Sequence, residues 1–319
     1  MTSPTWVSEE EPDSPPVSPM GWARALWRGL VMGLYTFGGL VVLLLARMIE
    51  KPVYGMERPF TPKITQSVCR FAFWVLGMRL EVVGTPMQGE GAAVANHTSW
   101  LDIFALNAFD DIYFVAKSEV ASWPMIGWLA RATGTQFIER DRRQALSHTH
   151  MFQTRLRHGH RLLFFPEGTS TDGRRVLPFK STLFQSFIMP DMRDDISIQA
   201  VTLVFHAPVG QDPRFYGWWG DSDLSTHLLK ALATKHHGSV QVVYHPPVAA
   251  NAFPDRKAMA RHLEAQVASA LPWATEGKAS LLGLLPALEG QATDLQCSKF
   301  LGQSRRNLLC RTGCGSNPV

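Results

Sequence analysis

The chain is short of cysteine, of charge of one sign and of repeated pattern, and each shortage narrows what it can do. It has 4 cysteines in 319 residues, with Cys297, Cys310 and Cys314 near one end and Cys69 in an apolar stretch. A zinc site wants paired C-x-x-C spacing or nearby histidines, and neither is present. The cysteines therefore read as unpaired thiols of a reducing compartment. His148, His150, His158 and His160 are spaced by two, so no pair shares a helix face. They are expected as solvated positions, and no metal is expected. The formal net charge is only +4, which suits an anionic membrane surface better than nucleic acid. No zinc-finger spacing, aromatic–basic RNA pattern or internal repeat is found. A G-x-S-x-G elbow is also missing, which weighs against a serine hydrolase built on that turn.

What is present falls into four stretches. Residues 1–20 are rich in Pro, Ser and Glu and read as a disordered tail; they lack the basic n-region of a secretory signal. Residues 29–46 carry no charge between Arg28 and Arg47, close to the lower limit for a membrane-spanning helix. A second apolar run, 64–78, holds Arg70 in its middle. A charge there is expensive at the bilayer centre, so an interfacial helix or a hairpin within one leaflet fits better. Residues 21–79 are thus expected as a membrane-associated helical pair. From 80 to 272 short apolar strands (80–83, 92–95, 112–115, 136–138, 162–165, 198–205, 240–244) alternate with helical stretches (99–109, 124–132, 142–157, 177–188, 254–271). Pro124 and Pro254 suit helix starts. This alternation predicts an α/β domain with helices flanking a largely parallel sheet. Beyond 273 the pattern lapses into a variable tail.

Chemistry concentrates at strand ends. Asn96-His97-Thr98-Ser99-Trp100-Leu101-Asp102 follows a short apolar run and leads into a helical one. His97 is expected at the end of a strand and Asp102 about one turn into the helix. The carboxylate then accepts a hydrogen bond from one imidazole nitrogen, and the other is free to take a proton from a hydroxyl. No Ser or Cys nucleophile is needed if that hydroxyl belongs to the substrate. About seventy residues later Phe164-Phe165-Pro166-Glu167-Gly168-Thr169-Ser170 is again an apolar strand broken by a polar turn.

NHTSWLD followed by FFPEGTS resembles the lysophosphatidate acyltransferase family, membrane enzymes that esterify a lysolipid hydroxyl from an acyl thioester. Gly134-Thr135-Gln136-Phe137-Ile138-Glu139-Arg140 is similar to that family's G-x-x-F-I-x-R block. The resemblance covers about residues 80–270 and implies a glycerolipid acyltransferase-like sheet flanked by helices, with an N-terminal membrane-docked helical segment. It implies His97 as general base and Asp102 as its orienting acid. Lys117 and the backbone N–H groups of Gly168 and Thr169 would face the oxyanion, and Arg140, Glu167, Ser170 and Arg174 the acceptor or its loop. The family usually reads E-G-T-R, its arginine on phosphate; here Ser170 takes that place, which weakens a phosphomonoester acceptor.

The segments 117–132 and 167–181, the run Phe215-Tyr216-Gly217-Trp218-Trp219-Gly220-Asp221 and Val243-Tyr244-His245-Pro246-Pro247 resemble a narrower branch, the bacterial lyso-ornithine lipid acyltransferases. The acceptor there is a hydroxyl on an amide-linked fatty acid under a zwitterionic head. The aromatic run reads as core or interface packing. The expected co-substrate is acyl carrier protein or coenzyme A thioester, with no cofactor. The expected partners are membrane lipids, not nucleic acid, and the expected place is the cytoplasmic side of a bacterial inner membrane. Three readings remain beside this one: lysophosphatidate as acceptor, hydrolysis by an activated water, and a catalytically silent lipid-binding protein.

Overall fold

A computed structural model describes residues 6, 16–139, 145–190, 192–220 and 222–273, with only the backbone of 145–149. The 1–20 tail (Trp6 and 16–20 apart), Arg140 and the tail beyond 273 with its three cysteines lie outside the described residues.

The chain enters through α1 (Pro19–Tyr54), started by Ser18, whose hydroxyl accepts from the Gly21 N–H. α1 is long and apolar enough to cross a membrane, and 11% of its most apolar window is buried. Its first turns are latched to the domain. The Arg28 guanidinium, framing the uncharged run, is buried and donates to the carbonyls of Leu76 (3.0 Å) and Leu232 (3.1 Å) and to that of Thr234. These carbonyls lie at the ends of α2 (Thr61–Leu76) and α6 (Leu224–Ala233), where a helix leaves acceptors unpaired. Farther along, Leu30, Leu34, Val41, Leu45, Met48 and Ile49 are exposed.

α2 folds back on α1: Tyr35 stacks on Phe71 with centroids 4.0 Å apart. Glu50 of α1 supplies the N-terminal cap that α2 lacks, accepting from the Phe60 and Thr61 N–H groups and the Thr61 hydroxyl. Arg70, whose charge argues against a second span, donates to the Ala108 carbonyl at 2.7 Å and sits over the Phe109 ring. It ties α2 to the domain.

The sheet runs β1-β7-β6-β2-β5-β3-β4, with β8 (Val248–Ala249) on β6. β2 (Gly91–Ala95), β3 (Ile112–Lys117), β4 (Gln136–Ile138), β5 (Arg161–Phe164) and β6 (Ser197–His206) are parallel neighbours. β1 (Arg79–Val83) and β7 (Ser239–Tyr244) are parallel to each other, and β7 is antiparallel to β6. Successive side chains of β2 face opposite sides. Ala93 and Ala95 join Phe73, Leu106 and Leu203 under α1, α2, α3 (Leu101–Asn107) and α6. Ala92 and Val94 join Leu156, Phe184 and Leu263 under α5 (Ala145–Leu156) and α7 (Arg256–Ser269). The result is the expected α/β architecture with helices on both faces.

Four local expectations change. The stretch 177–188 is no α-helix: Pro178 follows its first residue, and the N–H groups of Leu177 and Lys180 bond to Glu167 and to the Pro166 carbonyl. Only a 3-10 segment, Ser181–Phe187, forms. α6 arises where no helix is expected, capped by Asp223. Pro124 and Pro254 stand two residues ahead of α4 (Ile126–Thr133) and α7, in the approach rather than the first turn. His160, expected in solvent, is buried against Tyr113, and burial pushes its pKa down to about 4.

Candidate active site

From the carboxyl ends of the adjacent parallel strands β2 and β6 the chain leaves in opposite directions across the sheet, from β2 toward β3 and β4 and from β6 toward β7. Crevices at such switch points, beyond the carboxyl ends of the strands, are where open α/β sheets bind ligands. β2 is made of small residues so that its neighbours come close; a Cβ on Gly91 would lie 2.0 Å from the Ser197 carbonyl oxygen. Where its ladder ends, the Asn96 side chain continues the pairing. Its amide donates to the Leu203 carbonyl (3.0 Å) and accepts from the Leu203 N–H (2.8 Å). The next residue, His97, stands beyond the carboxyl end of β2 with its side chain 21% exposed.

Asp102, in the first turn of α3, is fully buried. Its Oδ2 lies 2.7 Å from His97 Nδ1 and accepts from the N–H groups of Thr98 (2.6 Å) and Ser99 (3.1 Å). Burial pushes its pKa upward, and these donors pull against that shift. A carboxylate at Nδ1 fixes that nitrogen as the protonated one, so Nε2 carries the lone pair. Nε2 has no protein partner among the described residues. The ring stacks on Phe165, centroids 4.1 Å apart, which holds its plane.

Glu167 is 2% exposed and joins the two motifs. One carboxyl oxygen accepts from the His97 N–H and the other from the Leu177 N–H, each at 2.8 Å. It is part of the frame beneath His97 rather than an open headgroup ligand. Burial outweighs the two donors and pushes its pKa from 4.5 up to about 8. Such an acid stays protonated in the folded chain where the unfolded chain has released its proton. Its contribution to stability is full below about 4.5 and is lost as pH rises through about 8. Buried His160, His227 and His237, held near 4 against an ordinary 6.5, are largely neutral in both states only above about pH 7.5. From about pH 7.5 through 8 the melting temperature of detergent-purified protein is therefore expected to fall. The Glu167→Gln variant should flatten that slope, and an equal slope in both proteins would contradict this account.

Other expected site residues gather at the same edge. Lys117 closes β3 at the carboxyl edge, two strands from β2 and half-buried. The Gly168 N–H is taken up by the Phe165 carbonyl (3.0 Å), closing a turn, whereas the Thr169 N–H has no acceptor among the described residues. The Ser170 hydroxyl donates to the Trp218 carbonyl. The Arg174 guanidinium lies 3.8 Å over the Trp273 ring, so it is stacked at the end of α7. Gly173, at φ +72°, passes so close to motif one that a Cβ would meet the Thr98 methyl at 2.7 Å.

The 215–219 run was expected to be packing alone. Phe215, Tyr216 and Trp219 are buried, but Trp218 does more. Its N–H donates to the Thr98 carbonyl (2.9 Å) while its carbonyl accepts from Ser170, so one residue braces both motif loops. The Trp100 indole likewise donates to His227 Nδ1 on α6 at 2.9 Å. No spacing rule points to Asn96, Trp218 or His227, since each acts through a partner far away in the chain. Among the described residues no group of three or more His, Cys, Asp and Glu is placed to hold a metal ion.

A buried carboxylate behind an imidazole with one open nitrogen, beyond the ends of parallel strands, can take a proton from a hydroxyl brought to it. The chain belongs to the Acyltransferase family, whose model matches residues 79–204. It is 51% identical over 271 residues to a lyso-ornithine lipid O-acyltransferase of Rhodobacter capsulatus, covering 85% of this chain and 98% of the relative. The enzyme of the same name from Brucella abortus is 36% identical over 214 residues, 64% of this chain and 80% of the relative. A 1-acyl-sn-glycerol-3-phosphate acyltransferase of Neisseria meningitidis is 42% identical over 153 residues, 47% of this chain and 58% of that one. The crystal structure of the 1-acyl-sn-glycerophosphate acyltransferase of Thermotoga maritima shares the fold, with TM-score 0.56, 20% identity, 81% of this chain and 96% of that one covered.

Proposed function

We propose that the chain transfers a fatty acyl group from an acyl thioester to the hydroxyl of lyso-ornithine lipid, giving ornithine lipid. The observation that carries the chemistry is the open Nε2 of His97, backed at Nδ1 by buried Asp102. In this mechanism Nε2 removes the acceptor's hydroxyl proton as the oxygen attacks the thioester carbonyl carbon, and the resulting oxyanion is met by donors aimed at it. Thr169 N–H and Lys117 are the donors assigned to it. Collapse of the intermediate breaks the C–S bond, and the imidazolium returns its proton to the departing thiolate. One ester forms, one thioester is lost, and the enzyme is regenerated.

The acceptor assignment is supported by the 51% identical relative and by Ser170, a neutral side chain occupied with Trp218, where a phosphate reader would carry a planar bidentate donor. Glu167 and Arg174 then serve the loop rather than the head, and Arg140 is assigned to the acceptor side. The donor is assigned as acyl carrier protein or coenzyme A thioester, which places the crevice on the cytoplasmic side of a bacterial inner membrane. α1 and α2 dock the enzyme there. Lysophosphatidate is the second reading, favoured by the Neisseria relative.

The test is acylation by detergent-purified protein with labelled acyl carrier protein thioester, offering lyso-ornithine lipid and lysophosphatidate separately. Turnover of the ornithine acceptor well above the other is expected. A preference for lysophosphatidate would replace the first reading with the second, and release of free fatty acid with neither acceptor used would mark a hydrolase.

A further inference from the structure

A cleft of about 520 Å³ opens at Trp218. One wall is Trp123, Pro124 and Ile126, on the segment that leaves β3 after Lys117; the other includes Trp218, Ser222 and Asp223. The second wall is fastened to both motifs through the Trp218 backbone, bonded to Thr98 and Ser170. The Trp218 indole N–H is already taken by the Ser222 carbonyl at 2.8 Å, so toward a ligand the ring offers its π system rather than a donor. Asp223 is the only ionisable side chain among the described residues lining the cleft. Its Oδ2 accepts from the Ser225 hydroxyl and the Thr226 N–H, and these bonds hold its pKa below the usual carboxylate value, so it is ionised at neutral pH.

Aromatic faces with one carboxylate, and no basic side chain among the described lining residues, favour a cation over phosphate, the full charge of Asp223 outweighing the partial positive charge of the α6 N-terminus that it caps. We propose that this cleft receives the side-chain ammonium of the ornithine head, with Asp223 as counter-ion and Trp123 and Trp218 as aromatic walls. The inference rests on the acceptor reading above. It also gives position 170 a role: Ser170 fastens the carbonyl of Trp218, so the loop that forms the cleft is tied down where a phosphate-binding enzyme would place an arginine.

The test is Asp223→Asn in the full chain. Asparagine caps a helix about as well as aspartate, so α6 keeps its start while the cleft loses its charge. KM and kcat are measured for lyso-ornithine lipid, for the same lipid with its side-chain amine acetylated, and for lysophosphatidate. For wild type, acetylation of the amine should raise KM about tenfold. The variant should show a similar rise with the unmodified lipid, little change in kcat, and no rise with the other two acceptors. Trp123→Leu should raise KM in the same selective way. An unchanged KM in Asp223→Asn, or an equal rise for all three acceptors, overturns the cleft assignment and leaves the acceptor reading standing. Wild-type turnover of lysophosphatidate but not of lyso-ornithine lipid overturns both.

Discussion

Replacing His97 by alanine is expected to lower kcat by about 10²–10⁴-fold, the range of a lost general base, while the protein remains folded. The ring is only stacked on Phe165 and bonded to Asp102, and its side chain is part-exposed, so its removal leaves no large void. The backbone bonds of the loop survive, because His97 N–H still meets Glu167 and its carbonyl still accepts from the Thr171 N–H at 2.9 Å. KM for the thioester donor should move little, since the imidazole acts on the acceptor's proton. Asp102→Asn should also be slow, through a different cause: an amide placed against Nδ1 no longer selects the tautomer that leaves Nε2 unprotonated. Full activity in His97→Ala, measured beside an unchanged melting temperature, would remove the mechanism.

Glu167→Ala should damage stability as well as rate. It leaves the N–H groups of His97 and Leu177 without their acceptor, and a buried donor left unpaired costs about 1–3 kcal/mol. A loss of about 2–6 kcal/mol is expected from the pair, read as a large drop in melting temperature. Activity should fall too, because the strand-end turn presenting His97 loses its brace. Glu167→Gln keeps one acceptor oxygen but puts an NH2 group in place of the other, and should fall between wild type and alanine in both measurements. If Glu167→Ala lost headgroup affinity alone, with stability intact, Glu167 would be an acceptor ligand and the frame interpretation would fail.

These two residues illustrate how differently parts of the site were legible. His97 and Asp102 are five positions apart, and their pairing follows from a strand end and a helix start that both show as local pattern. The central strands β2, β5 and β6 were readable for a similar reason: buried on both faces, they appear as short, largely apolar runs. Glu167 was identified as important, but its job was not, since its partners are backbone groups of residues 97 and 177. A backbone N–H has no residue-type signature. The 177–188 stretch misled in the same way, with an apolar pattern suited to a helix but N–H groups drawn off by motif two.

By itself the sequence determined the α/β class, seven of the eight described strands, the two motif loops and the apolar amino-terminal run, because each is written in side-chain periodicity or short-range spacing. The tertiary structure alone decided that β2 sits at the switch point, that Asn96 is pinned to Leu203, and that Trp218 braces Thr98 and Ser170. It alone showed Arg28 latching α1 to the ends of α2 and α6. These contacts join groups tens to hundreds of residues apart, and their partners are largely main-chain atoms that every residue carries. Only the folded path of the chain says which of them meet.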